Sequence, residues 1–197
     1  VDPQKIYSAR RAFRHVIASE LRLEWAALYQ QMQSPEPFNP DAVSAGKRSL
    51  KNLALSMLLE ADPVIWAPMA VNQYQNTDNM TDRYAALASL VIHGSKSAVS
   101  CLKDFYQRFA DDALVVDKWF ALQSSRPPVP NTEPTLYEVK RLREHEAFKM
   151  NNPNRVRSVI HAFCMNNPAS FHQADGSGYA FWAESVLALD PINPQIA

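Results

Sequence analysis

The amino-acid sequence predicts an all-α fold, an irregular superhelical stack of antiparallel helix pairs like the HEAT and armadillo solenoids. Three observations predict it. The 197 residues include only four glycines, so the tight hairpin turns of a β-rich fold are scarce. Seven of the fourteen prolines directly follow Asp or Asn, a pair that caps and starts helices. Between these pairs, apolar residues recur at the three- and four-residue steps of a helix.

The predicted helices of the N-terminal part follow these pairs and the apolar spacing. Asp2-Pro3 begins the first helix, and Asn39-Pro40 precedes the second. Asp62-Pro63 begins the third, and spacing alone predicts the next three. The apolar face of the first helix is traced by Ile6, Phe13, Ile17, Leu21, Trp25, Leu28 and Met32. The six helices are expected at residues 3–33, 41–61, 63–76, 80–93, 95–109 and 111–124.

The C-terminal part contributes three more predicted helices, at residues 134–147, 153–166 and 176–189. The first follows the proline-rich segment SSRPPVPNTEP, residues 124–134, which is predicted to be a surface crossover. Asn152-Pro153 begins the second helix, and the turn DGSG precedes the third. Short connections elsewhere make successive helices antiparallel neighbours.

Composition narrows the classes of function. Twenty basic and twenty acidic residues cancel, so the charge predicts neither a nucleic-acid partner nor a membrane partner. The longest apolar runs, such as LASLVI at 87–92, are far shorter than the ~20 residues that cross a bilayer. Two cysteines, Cys101 and Cys164, predict no disulfide framework, which fits a cytoplasmic protein.

The domain organisation is expected to be simple. We expect residues 1–197 to form a single α-helical domain. The chain begins with Val1, and the helix start at Asp190-Pro191 has barely a turn to follow. We therefore expect the chain to be a truncated fragment of a larger polypeptide.

The sequence HEAFK at 145–149 begins like the zinc-peptidase motif H-E-x-x-H. Position 149 is lysine, however, and an ammonium group cannot serve as the second zinc ligand. Glu144, His145 and Glu146 are therefore predicted to form a solvated, charged helix end.

Other reactive residue types lack the spacing that catalysis requires. His161 and Cys164 lie one helical turn apart, but two ligands do not complete a metal site, and core packing is the expected role. Ser177 lacks the G-x-S-x-G elbow of a nucleophilic serine. Phe181 and Trp182 are expected in the core. No catalytic residue and no metal ligand is predicted in this chain.

The start of the helix predicted at 153–166 breaks a local rule. Arg155 and Arg157 lie in its first turn, where cations oppose the helix dipole. The two arginines flank the stripe formed by Val156, Ile160 and Phe163. One interpretation is a receptor for a carboxylate, built from a guanidinium and free N–H groups. The other is that both arginines pair with acidic side chains of adjoining helices, and spacing alone favours this second one.

Four ordered stretches resemble one known family. They are TDNMTDRYAALASL (77–90), VVDKWFALQ (115–123), EHEAFKMNNPNRVRSVIHAF (144–163) and NPASFHQADGSGYAFWAE (167–184). Together they are similar to the C-terminal helical domain of bacterial aminopeptidase N, the zinc-dependent alanyl aminopeptidases of the gluzincin class. The resemblance covers most of the chain and is sharpest from about residue 77.

The resemblance implies a role beside a catalytic domain of the same polypeptide. In that family the helical domain closes over the active site and forms a chamber for peptide substrates. Zinc and its H-E-x-x-H ligands belong to the parent enzyme, so no cofactor is expected in this fragment, which alone should be inactive. The resemblance also implies that the block Asn151–Arg157 faces the interior cavity near the substrate. Arg157, Arg155 and Asn154 are its candidate substrate-binding residues, with Arg157 the first.

Two alternatives remain open from the sequence. The chain is either this non-catalytic domain or an autonomous helical-repeat scaffold that binds protein partners. An independent hydrolase is disfavoured by the incomplete motifs. The mass and metal content of the native gene product would distinguish the first two.

Overall fold

The computed structural model describes residues 2–34, 36–129 and 132–197. Within these ranges every regular element is helical, which confirms the predicted all-α class. No helix in the described part of the chain is both long and apolar enough to cross a membrane. Val1 and part of the predicted crossover at 124–134 lie outside the described residues.

Helical segments follow one another along the described ranges. The first six are α1 (Pro3–Glu20), α2 (Arg22–Gln31), α3 (Ala42–Ala61), α4 (Pro63–Asn76), α5 (Met80–Ile92) and α6 (Ala98–Phe109). The rest are α7 (Ala113–Ser124), α8 (Thr135–Arg143), α9 (Pro153–Val156), a π turn (Arg157–His161), α10 (Ala162–Asn166), α11 (Pro168–Phe171) and α12 (Ser177–Leu189).

Acidic N-caps begin several of these helices. The carboxylates of Asp41, Asp62 and Asp112 each accept two backbone N–H hydrogen bonds from the first turn of α3, α4 and α7. Asn39-Pro40 does not begin a helix, because the capping side chain is Asp41, two residues further on. Asn167-Pro168 does begin one, α11, which was not among the predicted helices.

Two predicted helices differ from the observed ones. The helix expected at 3–33 is interrupted at Leu21, where α1 ends and α2 follows. Its predicted apolar face is only partly covered: Ile6 is 47%, Phe13 is 70% and Leu21 is 43% exposed, whereas the other four residues of the face are half-buried. The helix expected at 134–147 ends at Arg143. Beyond it, the half-buried His145 ring packs beside Trp119, with the ring centroids 5.1 Å apart, so it is not part of a solvated helix end.

The described residues form two compact units. Ser8–Asp104 form one of them. In this unit α3 packs against α2, α4 and α5. Its core contains Leu55, Leu58, Tyr74 and Leu87, each at most 1% exposed. α3 therefore lies at the centre of this apolar core.

The other compact unit contains the remaining described residues. Here α7 packs against α8 and against the helix segment that contains the π turn. Phe120, Val139, Phe163 and Phe181 are each at most 1% exposed. The Phe163 and Phe181 rings meet edge to face with centroids 5.6 Å apart, so α10 and α12 share this core.

Candidate functional site

The helix start at Asn152-Pro153, which we call the helix mouth together with the first turn that follows it, is formed as expected. The Asn152 side chain accepts hydrogen bonds from the N–H groups of Asn154 and Arg155, at 3.0 and 3.4 Å. Pro153 occupies the first helical position, where no N–H is needed. α9, the π turn and α10 then follow without a break from Pro153 to Asn166. The mouth therefore has a fixed start and a widened second turn.

Arg155 points into the protein and is only 7% exposed. Its Nη1 group contacts the Asp117 carboxylate on α7 and donates to the Ala113 carbonyl at 3.0 Å. Its Nε group donates to the Ala147 carbonyl at 3.0 Å. The guanidinium also lies over the Phe120 ring, 5.4 Å from the centroid. Arg155 is thus held by a buried ion pair and two carbonyls.

These contacts explain how a cation is tolerated at the first turn of a helix. The positive end of the helix dipole disfavours Arg155, whereas the Asp117 carboxylate supplies the opposite charge in a water-poor setting. A buried charge requires such a partner, because its desolvation is otherwise uncompensated. Arg155 links α9 to α7 and has few donors left for a ligand.

Arg157 has the opposite environment. It begins the π turn, and its side chain is exposed. No residue in the described ranges forms a hydrogen bond or an ion pair with its guanidinium. The exposed Asn154 side chain likewise has no partner within those ranges. Of the three residues selected from the sequence, Arg157 and Asn154 therefore offer side chains to a ligand, and Arg155 does not.

Sequence reasoning missed the partner that decides the role of Arg155. Asp117 lies in the stretch VVDKWFALQ, 38 residues earlier, and no spacing rule pairs it with position 155. It also missed the aromatic surroundings of His145. The ring of His145 lies 4.8 Å from the Tyr106 centroid and 5.6 Å from that of Phe120. Both sets of contacts arise from tertiary packing, for which the sequence alone carries no direct sign.

The described part of the chain contains neither a metal-binding cluster nor an activated nucleophile. No group of three His, Cys, Asp or Glu side chains is placed to hold a metal ion there. Burial raises the pKa of Cys164 to about 11, so its thiol stays protonated at neutral pH. His161, one turn away, is exposed and not packed in the core as expected.

The segment around Ser177 is a helix start, as predicted. The Asp175 carboxylate accepts the Ser177 N–H at 2.9 Å, and Gly176 has a φ of 74°, a conformation that favours glycine. In the helix that follows, Phe181 is 1% exposed, which confirms its core role. Trp182 is 51% exposed, so the same expectation for Trp182 is wrong.

A second charge cluster lies in the Ser8–Asp104 unit around the buried side chains of Glu60 and His93. The Glu60 carboxylate is within 3.1 Å of Arg11 Nε and 3.6 Å of Arg14 Nε. The Nδ1 atom of His93 lies 3.7 Å from the same carboxylate. Desolvation lowers the pKa of His93 to about 4, although Glu60 opposes that shift. At neutral pH the imidazole is therefore uncharged, and the positive charges that face Glu60 come from the two arginines.

Comparison with known proteins gives consistent matches over the whole chain. A family profile described as "Domain of unknown function (DUF3458_C) ARM repeats" matches residues 1–197. Aminopeptidase N of Escherichia coli (strain K12) is 34% identical over 197 residues, and Aminopeptidase N of Caulobacter vibrioides is 36% identical over 197 residues. The similarity lies in the C-terminal part of those proteins. The description as ARM repeats agrees with the predicted solenoid class.

A solved structure also matches the whole chain. The crystal structure of Legionella pneumophila aminopeptidase A in complex with aspartic acid matches 100% of this chain with a TM-score of 0.86 and 27% identity. The match uses 23% of that chain. The present chain likewise spans 22% of the length of the two Aminopeptidase N relatives.

Proposed function

This chain belongs to the family described as domain of unknown function (DUF3458_C) ARM repeats, and we propose that it is the non-catalytic C-terminal domain of a zinc-dependent aminopeptidase. The domain closes over the active site of the same polypeptide and forms a chamber for peptide substrates. Zinc would activate the attacking water in the catalytic domain. The two free cysteines, Cys101 and Cys164, support a cytoplasmic location for this enzyme.

The observation that carries this proposal is the contrast between the two arginines of the helix mouth. Arg155 is paired with Asp117, whereas the exposed guanidinium of Arg157, one residue beyond α9, has no partner among the described residues. A guanidinium with free N–H groups binds a carboxylate through two parallel hydrogen bonds. We assign Arg157 to the carboxylate of the peptide substrate and the neighbouring Asn154 to its polar groups. Such a contact helps to orient a peptide whose first residue is removed.

The test uses the complete gene product that contains this chain. Arg157→Ala is expected to lower kcat/KM for a peptide with a free carboxylate at least about tenfold, because both hydrogen bonds of the guanidinium to the carboxylate are lost. The same variant should leave the hydrolysis of alanine arylamide unchanged, since that substrate has no distal carboxylate. Arg10→Ala, at an exposed arginine of α1, is the matched control and should alter neither substrate.

Two outcomes would contradict the proposal. An equal loss on both substrates would remove the role of Arg157 as a carboxylate receptor. A native gene product without zinc and without aminopeptidase activity would contradict the enzyme assignment and favour the helical scaffold.

A further inference from the structure

A large polar cavity lies wholly within the Ser8–Asp104 unit. It is bordered by α2, α3, α4 and the start of α5, and its volume is about 1310 Å³. A cavity of this size can accommodate more than a single small molecule. Its walls carry several carboxamide side chains, whereas most ligand cavities are lined mainly by apolar groups. The cavity therefore suits a ligand rich in hydrogen-bonding groups.

The floor of the cavity is a buried polar network. Lys51 and Asp82 are 8% and 2% exposed, and Lys51 Nζ donates to Asp82 Oδ2 at 2.6 Å. Asn52 Nδ2 donates to the other carboxylate oxygen at 2.8 Å. Gln73 Nε2 donates to Asn52 Oδ1 at 2.8 Å, while Gln73 Oε1 has no hydrogen-bond partner among the described residues. Removing these groups from water is costly, and a buried acceptor without a partner in the described ranges requires a structural or functional explanation.

One wall presents two asparagines of α4, one helical turn apart. Asn76 Nδ2 donates to Asn72 Oδ1 at 2.8 Å, and both side chains are exposed to the cavity. This bond leaves the Asn72 amide N–H groups and the Asn76 carbonyl oxygen without a described partner. The pair thus offers one donor and one acceptor, the complement of a peptide carbonyl and a peptide N–H.

The spacing of this pair matches an extended peptide. Four residues of α-helix rise about 6 Å. Alternate residues of an extended chain repeat at about 6.6 Å. Carboxamides on successive turns of α4 can therefore meet peptide groups two residues apart.

The α3 wall adds positive charge. Lys47 lies one turn before Lys51, lines the same cavity and is exposed with no described partner. Lys51 is less available, because its buried ammonium group pairs with the Asp82 carboxylate at 2.6 Å. Glu36, Asp78 and Asp82 line the same cavity, so Lys47 is the ammonium group that can attract a terminal carboxylate.

We propose that this cavity binds an extended peptide through its backbone, with Asn72 and Asn76 on peptide groups and Lys47 near the terminal carboxylate. The inference rests on the proposed function and identifies a second peptide contact, distinct from Arg157. Carboxamides also bind sugar hydroxyls, but the regular spacing on α4 and the exposed Lys47 ammonium group favour a peptide with a free carboxylate. An oligosaccharide is therefore the competing ligand that the experiment includes.

The experiment measures binding without relying on catalysis. The probe is an eight-residue peptide of alanine, serine and glycine, acylated at its N-terminus with a dye, which blocks removal of the first residue. Fluorescence anisotropy with the complete gene product gives the Kd. The double variant N72A/N76A is expected to raise the Kd about tenfold, because two hydrogen bonds are lost. Amidation of the peptide C-terminus should weaken binding to the unmodified protein.

The matched control is Gln75→Ala, at an exposed carboxamide of α4 that does not line the cavity. It should leave the Kd unchanged, and circular dichroism checks that all variants are folded. Equal Kd values for N72A/N76A and the unmodified protein would overturn the inference, as would displacement of the peptide by maltoheptaose. Peptide binding without arylamide hydrolysis would support the cavity and contradict the proposed enzyme. Arylamide hydrolysis without peptide binding would support the proposed enzyme and contradict the inference about the cavity.

Discussion

Replacing Gly178 with alanine is expected to destabilise the protein, although alanine is normally the better helix residue. Gly178 lies in the first turn of α12, directly beside the Phe171 backbone of α11. An added Cβ would lie 2.0 Å from the Phe171 carbonyl oxygen and 2.9 Å from its carbonyl carbon. Ordinary contacts between heavy atoms lie near ~3.5 Å, so the two backbones must separate.

The sign of the change in the free energy of unfolding depends on the gain in helix propensity and the cost of overpacking. Alanine gains about 1 kcal/mol over glycine from helix propensity. Overpacking costs about 1–3 kcal/mol, occasionally more, and a backbone atom has no rotamer through which to yield. Moving Phe171 also disturbs its ring contacts, with centroids 6.1 Å from Phe163 and 5.0 Å from Tyr179. A 2.0 Å approach to a backbone atom lies at the severe end of that range, so a cost of about 3 kcal/mol less the gain of about 1 kcal/mol leaves a net loss of about 2 kcal/mol in the free energy of unfolding.

Gly46→Ala in α3 is the matched control. A Cβ at Gly46 meets no heavy atom within 4 Å. The same substitution should therefore stabilise the protein by about 0.5–1 kcal/mol. Urea unfolding followed by circular dichroism at 222 nm measures both changes. Unaltered or increased stability of Gly178→Ala would refute the argument from contact distances, and a loss for Gly46→Ala would refute the argument from propensity.

Three further perturbations act on named contacts. Asp117→Asn removes the charge that faces the buried Arg155 and should lower the free energy of unfolding by about 3 kcal/mol. The double variant that also carries Arg155→Met should recover part of this loss. If the losses of the two single variants add, the pairing of Asp117 with Arg155 is contradicted. The pKa of His93 is lowered to about 4 in the folded chain, so between pH 6.5 and about 4 the unfolded chain binds a proton that the folded chain does not. The free energy of unfolding should therefore fall by about 3 kcal/mol as the pH falls through this window. His93→Gln should show a shallower decrease over the same range, and an equally steep one would shift the cause to groups such as Glu60. Asp62→Ala removes the cap of α4 and should cost about 1 kcal/mol in thermal unfolding, whereas no change would mean that water replaces the carboxylate.

Local chemistry explains which elements the sequence could predict. α4 begins at Pro63 and ends at Asn76, as expected, because the Asp62 side chain and the proline act within one turn of each other. The same pattern located the helix mouth at Asn152-Pro153. Such signals involve residues within four positions, so no tertiary information is needed to interpret them.

The remaining features depend on packing between distant segments. Apolar spacing placed Ile6 and Phe13 on one face of a helix, but whether that face is buried depends on what covers it. At the helix mouth, spacing identified Arg155 and Arg157 but did not separate their roles. That separation comes from Asp117 on α7, whose approach only the folded chain reveals.

The π turn at Arg157–His161 has a consequence for length variation among relatives. A π turn holds more residues than an α turn, and its carbonyls bond one position further along the chain. A homologue that is α-helical throughout this segment should therefore lack one residue here. Without that deletion, the side chain that follows at the Phe163 position would rotate by about 100° away from its pocket. A one-codon gap in an alignment at this point would mark a change of helix type, with every neighbouring side chain left chemically intact.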